Sequence, residues 1–145
     1  MTMDSLAAHR EQLGLLEEQE CIRLLGRAKL GRIALSVGAL PAIYPIRFAL
    51  LGRDPVFRTH PQAGLVEATS GNVVCLQADD ADPDTEHGWS VMVTGPAEVL
   101  TDRDLIAEAR GLPLRPWVGD ADAFVRIGAV MVSGRRIGSP DLPLA

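Results

Sequence analysis

The sequence predicts a mainly β fold: a small, Greek-key-like split of β-strands into a β-barrel, with about six antiparallel strands and short α-helices at their ends. Three observations carry this. Short apolar segments with period-two alternation recur between turn signals along most of the chain. Helical periodicity is confined to three brief stretches. Helices are missing between most strands, where a doubly wound α/β fold would need them, and an all-β sandwich explains the helices less well. With 145 residues, 47% of them hydrophobic, the chain is expected to form one domain, 1–145, with its own core.

Residues 1–15 read as a loosely ordered lead-in. Helical spacing then runs from Glu17 to Ala28, with Cys21, Leu24, Leu25 and Ala28 at i, i+3, i+4 and i+7. Glu17 and Glu18 at its start and Arg27 and Lys29 at its end suit the helix dipole. A strand follows from Gly31 to Val37, where Ile33, Leu35 and Val37 alternate with Arg32, Ala34 and Ser36. A turn at 38–40 joins it to a second strand, Pro41 to Leu51, as a hairpin. Pro45 cannot donate to a ladder, so it marks an edge, a bulge or an opening within that strand. A third strand runs from Pro55 to Thr59. A short helix is expected from Pro61 to Ser70, with Pro61 at its first position and Gly71 at its C-terminal cap. Residues 72–79 form a fourth strand, 79–87 an acidic loop and 88–100 a long fifth strand. Thr101 with Asp104 is expected to cap a helix over 102–110. Residues 111–122 read as an irregular crossing, 124–132 as the last strand and 138–145 as a C-terminal tail.

The net charge of -5, with no basic tail or stripe, argues against nucleic acid or an anionic membrane as partner. No apolar run is long enough to span a bilayer, and the N-terminus lacks a charged-then-apolar signal pattern, so a cytoplasmic protein is expected. Cys21 and Cys75 sit in apolar patterns and read as buried free thiols. The stretch GWSVM (88–92) resembles a nucleophile elbow but ends in Met92 and opens a strand. A Gly-rich dinucleotide fingerprint and a P-loop are both missing from the sequence. The acidic loop lacks the glycine and glutamate of a calcium loop, and His9, His60 and His87 have no metal-ligand spacing, so no metal site is expected.

The stretch DPVFRTHPQAGLVEA (54–68) is different. Arg58 supplies a permanent charge and a forked donor, Thr59 a hydroxyl, and the expected helix start beyond Pro61 free N–H groups. Spacing alone leaves two readings open: an anion site, or a capped helix beside a surface arginine. Arg47 alternates with Ile46 and Phe48 and so points away from an apolar face. Gln77 shares a strand face with Val73 and Cys75, where it is either satisfied locally or bonded to a ligand. Trp89-Ser90 opens the longest strand; an aromatic packed at a barrel mouth beside a turn serine is the plain alternative to a site.

The order of these pieces resembles the pyridoxamine 5'-phosphate oxidase-like, FMN-binding split-barrel family, especially its small actinobacterial-type members. The matching stretches are LGRIALSVGALPAIYPIRFAL (30–50), VFRTHPQAGL (56–65), VCLQADDADPDTEHGWSVMVTGPAEVL (74–100) and FVRIGAVMVSGRRI (124–137). The resemblance implies a split barrel that forms a homodimer, with FMN in a groove between subunits. It implies that Arg58 and Thr59 hold the flavin phosphate and that the backbone of Pro45, Ile46, Arg47 and Phe48 passes along the isoalloxazine ring. Leu65 follows the position of the phosphate-helix lysine, Gln77 matches the acid or amide of the fourth strand, and Trp89 and Ser90 match a pair that reaches the partner's flavin. Five positions depart from the family pattern. Gly64 replaces the lysine, Arg47 the usual asparagine, His60 a small residue, and Gly128-Ala129 a charged residue with a proline. Loss of one charge-assisted phosphate bond, about 1.5–3 kcal/mol, weakens binding roughly tenfold to a hundredfold.

The resulting expectation is a small dimeric flavoprotein, an FMN-dependent oxidoreductase acting on a small-molecule substrate. The cofactor carries the redox chemistry, and no side chain stands out as a catalytic acid or base. Two alternatives remain open: a reductase variant using a deazaflavin as a loosely bound cosubstrate, and a degenerate, non-enzymatic barrel that binds a small ligand or protein partner without flavin.

Overall fold

The computed structural model describes residues 2–115 and 123–138. Residues 116–122 of the expected crossing and 139–145 of the expected tail lie outside the described residues.

The lead-in carries a helix, α1 (Met3–Gln12), begun where Thr2 Oγ1 accepts a hydrogen bond from Ser5 N at 3.2 Å. It has no apolar stripe, so periodicity could not announce it. Residues 14–16 then run beside a strand: Leu16 N donates to Gly134 O at 2.9 Å and Arg136 N to Gly14 O at 2.7 Å. Helix α2 (Glu18–Leu25) buries Cys21, Leu24 and Leu25. It stops three residues before Ala28, at Gly26, and tighter turns carry the chain through Arg27 and Ala28.

Strands β1 (Leu30–Val37) and β2 (Leu40–Leu51) form the expected hairpin. Its turn is two residues rather than three: Gly38 and Ala39 both have positive φ, 55° and 66°, which matches the twist of the flanking strands. The first part of β2, Leu40–Arg47, pairs with β1. Its second part, from Phe48, pairs with β3 (Asp54–Thr59) instead. The edge of residues 40–47 opposite β1 is therefore unpaired among the described strands, and Pro45 sits within that open stretch as its missing N–H requires.

The next helix, α3 (Gly64–Thr69), begins three residues later than expected. Pro61 belongs to a turn in which His60 Nδ1 accepts from Gln62 N at 3.1 Å and His60 O from Ala63 N at 2.9 Å. The side chain of His60 outcompetes proline's preference for a first helical position. Strand β4 (Val73–Ala81) leads through the acidic loop into β5 (Gly88–Val99). In the loop, Asp82 Oδ1 accepts from Asp84 N and Thr85 N at 2.8 and 3.2 Å. Helix α4 (Arg103–Arg110) is capped by Asp102, which accepts from Asp104 N and Leu105 N, rather than by Thr101.

The single last strand expected at 124–132 is two strands, β6 (Ala123–Ile127) and β7 (Met131–Ile137). Both lie along one edge of β5, with a jog at 128–130 between them. Pairing in the order β1-β2-β3-β6-β5-β4 and back to β1 closes a six-stranded antiparallel barrel, and β7 continues the wall beside β5. The mainly β barrel with short helices read from the sequence is thus the observed architecture.

The barrel interior is filled by alternate residues of each strand, among them Ile33, Ile46, Phe48, Phe57, Leu76, Val93 and Val125, and α2 closes it. A second, smaller core lies outside the wall. There α4 and Leu112–Leu114 cover Val56 and Phe124.

Candidate functional site

The corner where β2 leaves β1 for β3 builds a cavity. Ile46 and Phe48 point into the barrel and are 3% exposed, so Arg47 between them points out, as its alternation predicts. On β3, Phe57 points in and Arg58 out. Arg58 stacks over the ring of Phe124, its partner on β6, with the guanidinium carbon 5.2 Å from the ring centroid. That contact holds the guanidinium against the ring face.

Pro45, Ile46, Arg47, Phe57, Arg58, Thr59 and Leu65 line one cavity of about 320 Å³. Six of these seven were singled out in the sequence, and three elements deliver them: β2, β3 and α3. Phe57 was missed, because alternation assigns it to the core; it forms core and cavity floor at once. A side chain added at Gly64 would find no atom within 4 Å of its Cβ, so the place of the family's lysine is open space.

The other expected residues sit elsewhere. Phe48 is in the barrel core. His60 is exposed beyond the end of β3, with Nδ1 occupied by Gln62 N. Gln77 is on the outer face of β4: Val74, Leu76 and Ala78 are the buried residues, and Val73, Cys75 and Gln77 alternate with them. Its amide is satisfied locally, donating to Asp79 Oδ2 at 2.7 Å and Ser90 Oγ at 3.1 Å. Trp89 and Ser90 pair with Asp80 and Asp79 across the ladder, and Trp89 lines a separate groove with Arg27, Lys29 and Asp80. Register relates the two groups. Pro45 pairs with Arg32, Arg32 with Gln77, and Gln77 with Met92, so one intervening strand separates the cavity from the Gln77–Ser90 pair.

Sequence reasoning also passed over Arg135. It lies across the ladder from Ser90, half-buried, and its Nε is buried without a hydrogen-bond partner. No signal in its own stretch, SGRRI, marks it; only the non-local pairing of β7 with β5 brings it there. Among the described residues no group of three His, Cys, Asp or Glu side chains gathers as metal ligands would.

The cavity thus offers a fixed guanidinium, a threonine hydroxyl, a second exposed arginine and an open strand edge beside an apolar floor. That donor set suits an anionic group attached to a flat, apolar one. Comparison with known proteins agrees in kind. A family model described as pyridoxamine 5'-phosphate oxidase matches residues 17–136. The uncharacterized protein Rv0080 of Mycobacterium tuberculosis is 38% identical over 128 residues, 84% of each chain. The structure of an FAD binding protein from Mycobacterium smegmatis superposes with a TM-score of 0.76 at 38% identity, covering 85% of this chain and 98% of that one. A Corynebacterium glutamicum structure designated a candidate pyridoxamine 5'-phosphate oxidase gives 0.72 at 28% identity, covering 86% and 92%.

Proposed function

The chain belongs to the pyridoxamine 5'-phosphate oxidase-like family of flavin-binding split barrels, and on that premise we propose that it is a flavin-dependent oxidoreductase acting as a homodimer on a small-molecule substrate. The observation that carries the reading is the convergence of Pro45, Ile46, Arg47, Arg58, Thr59 and Leu65 on one cavity. These residues fit the mononucleotide unit that FMN and FAD share. Arg58 and Thr59 would hold the phosphate, through a forked guanidinium and a hydroxyl, and Pro45, Ile46 and Arg47 of β2 would lie beside the ring. A bound flavin would supply two-electron redox chemistry, which the chain would serve by holding and orienting it. No acid or base of the chain is assigned to the reaction. Both cysteines are free thiols, as a reducing cytoplasm permits, and that is the compartment we assign.

The dimer would form through the outer face of β2, β1, β4, β5 and β7. Register sets Ile43, Ala34, Cys75, Thr94 and Met131 in one row across these five strands. Ile43 and Met131 are 67% and 68% exposed, as is Val73 at 68% in a neighbouring row. An apolar face of this extent favours a partner.

Titration of the purified protein with FMN, FAD and a deazaflavin, followed by fluorescence, tests the reading. Flavin binding at micromolar concentration is expected. Arg58→Ala should weaken it roughly tenfold to a hundredfold, while Glu86→Ala, in the acidic loop, should leave it unchanged. Absence of binding to all three ligands would remove the enzyme reading. An unaltered affinity in Arg58→Ala would remove the site.

A further inference from the structure

Two walls of the cavity are joined by a turn, and a histidine holds that turn. Thr59 lines the cavity at the end of β3, and Leu65 lines it again from α3. His60 stands between them and is bonded within the turn twice. Its carbonyl oxygen accepts from Ala63 N at 2.9 Å, and its ring Nδ1 accepts from Gln62 N at 3.1 Å. Ala63 O then accepts from Val66 N at 3.0 Å as α3 begins. Pro61 has no N–H to contribute, and Ala63 at the start of α3 makes no side-chain cap. The imidazole therefore supplies what a capping side chain supplies elsewhere.

A ring nitrogen accepts a hydrogen bond only when it carries no proton. Acceptance at Nδ1 thus requires neutral His60 with its proton on Nε2. An imidazolium would set N–H against N–H and release Gln62. The charged groups on the adjoining elements are Arg47 of β2, Arg58 of β3, Glu67 of α3 and Arg126 of β6, the last beside Asp54. Histidine is the residue type among these that ordinarily changes charge between pH 5 and 8. We propose that His60, as the neutral imidazole, is a positioning residue for the cavity: it fixes the turn that brings Thr59 and Leu65 to one site, and protonation releases them. The inference rests on the flavin reading of that cavity. It also fixes a sign. Charge attraction alone would make a protonated histidine beside an anion site tighten binding as pH falls. The bond to Gln62 makes binding weaken instead, because the ring is exposed and its attraction is screened, whereas the lost bond acts on the backbone directly.

The test measures the FMN affinity of the parent protein, His60→Asn and His60→Ala at pH 8 and pH 5.5. Asparagine Oδ1 stands two bonds from Cβ, as Nδ1 does, and accepts from the same N–H at every pH. His60→Asn therefore also reports the titration of the FMN phosphate itself. Parent and His60→Asn should bind alike at pH 8. At pH 5.5 the parent should bind about threefold to tenfold more weakly than His60→Asn. His60→Ala should be weaker than His60→Asn by the same factor at both pH values. A parent that keeps pace with His60→Asn at low pH would overturn the proposal, and so would one that gains on it. Absence of FMN binding to all three proteins at pH 8 would remove the flavin reading instead. The turn is then decided without ligand, by long-range proton–nitrogen NMR of the His60 ring at pH 8. The proton is expected on Nε2, and a proton on Nδ1 would overturn the positioning role whatever binds.

Discussion

At the scale of single residues, burial decides what each group does. The thiol of Cys21 is fully buried, and its pKa is pushed up by desolvation first and by the nearby Glu18 and Glu20 charges second. A folded pKa above the unfolded one means that the unfolded chain gives up this proton first. The thiol's contribution to stability is complete below about pH 8.5, the ordinary range of a cysteine, and is lost as pH rises beyond it. Cys21 should therefore resist iodoacetamide at pH 8 in the native protein and react once urea unfolds it, as peptide mapping would report; labelling at equal rates in both states would contradict the burial. Gly64 makes the opposite case. Its Cβ position faces open space, so Gly64→Lys has room at the cavity beside Arg58 and Thr59. One added charge-assisted bond should tighten flavin binding by about tenfold or more. A Kd unchanged by the lysine would mean that the phosphate sits elsewhere.

Elements obey partners that a local reading cannot see. The stretch from Phe124 to Val132 is a mostly apolar run interrupted by Arg126 and Gly128, and the sequence reads it as one strand. The structure divides it because β5 supplies two successive stretches of edge, and the chain must jog between them. The jog is built from close approach: a Cβ on Gly95 would overlap the backbone carbonyl of Gly128, while Gly128 N donates to Pro96 O at 2.9 Å and Ala129 N to Asp54 Oδ1 at 2.9 Å. Gly95→Ala should cost about 1–3 kcal/mol in urea unfolding, since backbone rather than a side chain must yield. A loss of a few tenths would show that the jog is soft. The hairpin of β1 and β2, the α2 stripe and the corner at Arg47 were legible because their signals are local. So was the cluster Arg58-Thr59, whose strand and helix are neighbours in sequence. The face shared by Val73, Cys75 and Gln77 was legible from alternation, but Cys75, expected to be buried, is only half-buried because that face points out of the barrel, which only the pairing of β4 with β1 and β5 decides. Arg135 was invisible for the same reason: its place beside Ser90 depends on β7 pairing with β5, far apart in the chain.

At the scale of the whole molecule, the described residues leave one broad wall uncovered. The edge of β7 is shielded by residues 14–16, α2 closes the barrel, and α4 covers the outside of β3 and β6. The outer face of β1 and β4 has no such cover among the described residues, and its row from Ile43 to Met131 passes over Cys75. If this face joins two copies, burial there is shared by symmetry, and the same surface patch must serve both subunits. Two exposed positions then become decisive. Ile43→Asp/Met131→Asp places charges on the face without touching the core, so the monomer should stay folded while sedimentation drops from the dimer to the monomer mass. Cys75 supplies a second readout. It should be protected from iodoacetamide in the parent protein and react in the double variant, whereas Cys21 should stay inert in both. Flavin affinity should fall with dissociation, because Trp89 and Ser90 would no longer be presented by a partner. A parent protein that sediments as a monomer at micromolar concentration, with Cys75 already reactive, would refute the shared face and require each chain to hold its flavin alone.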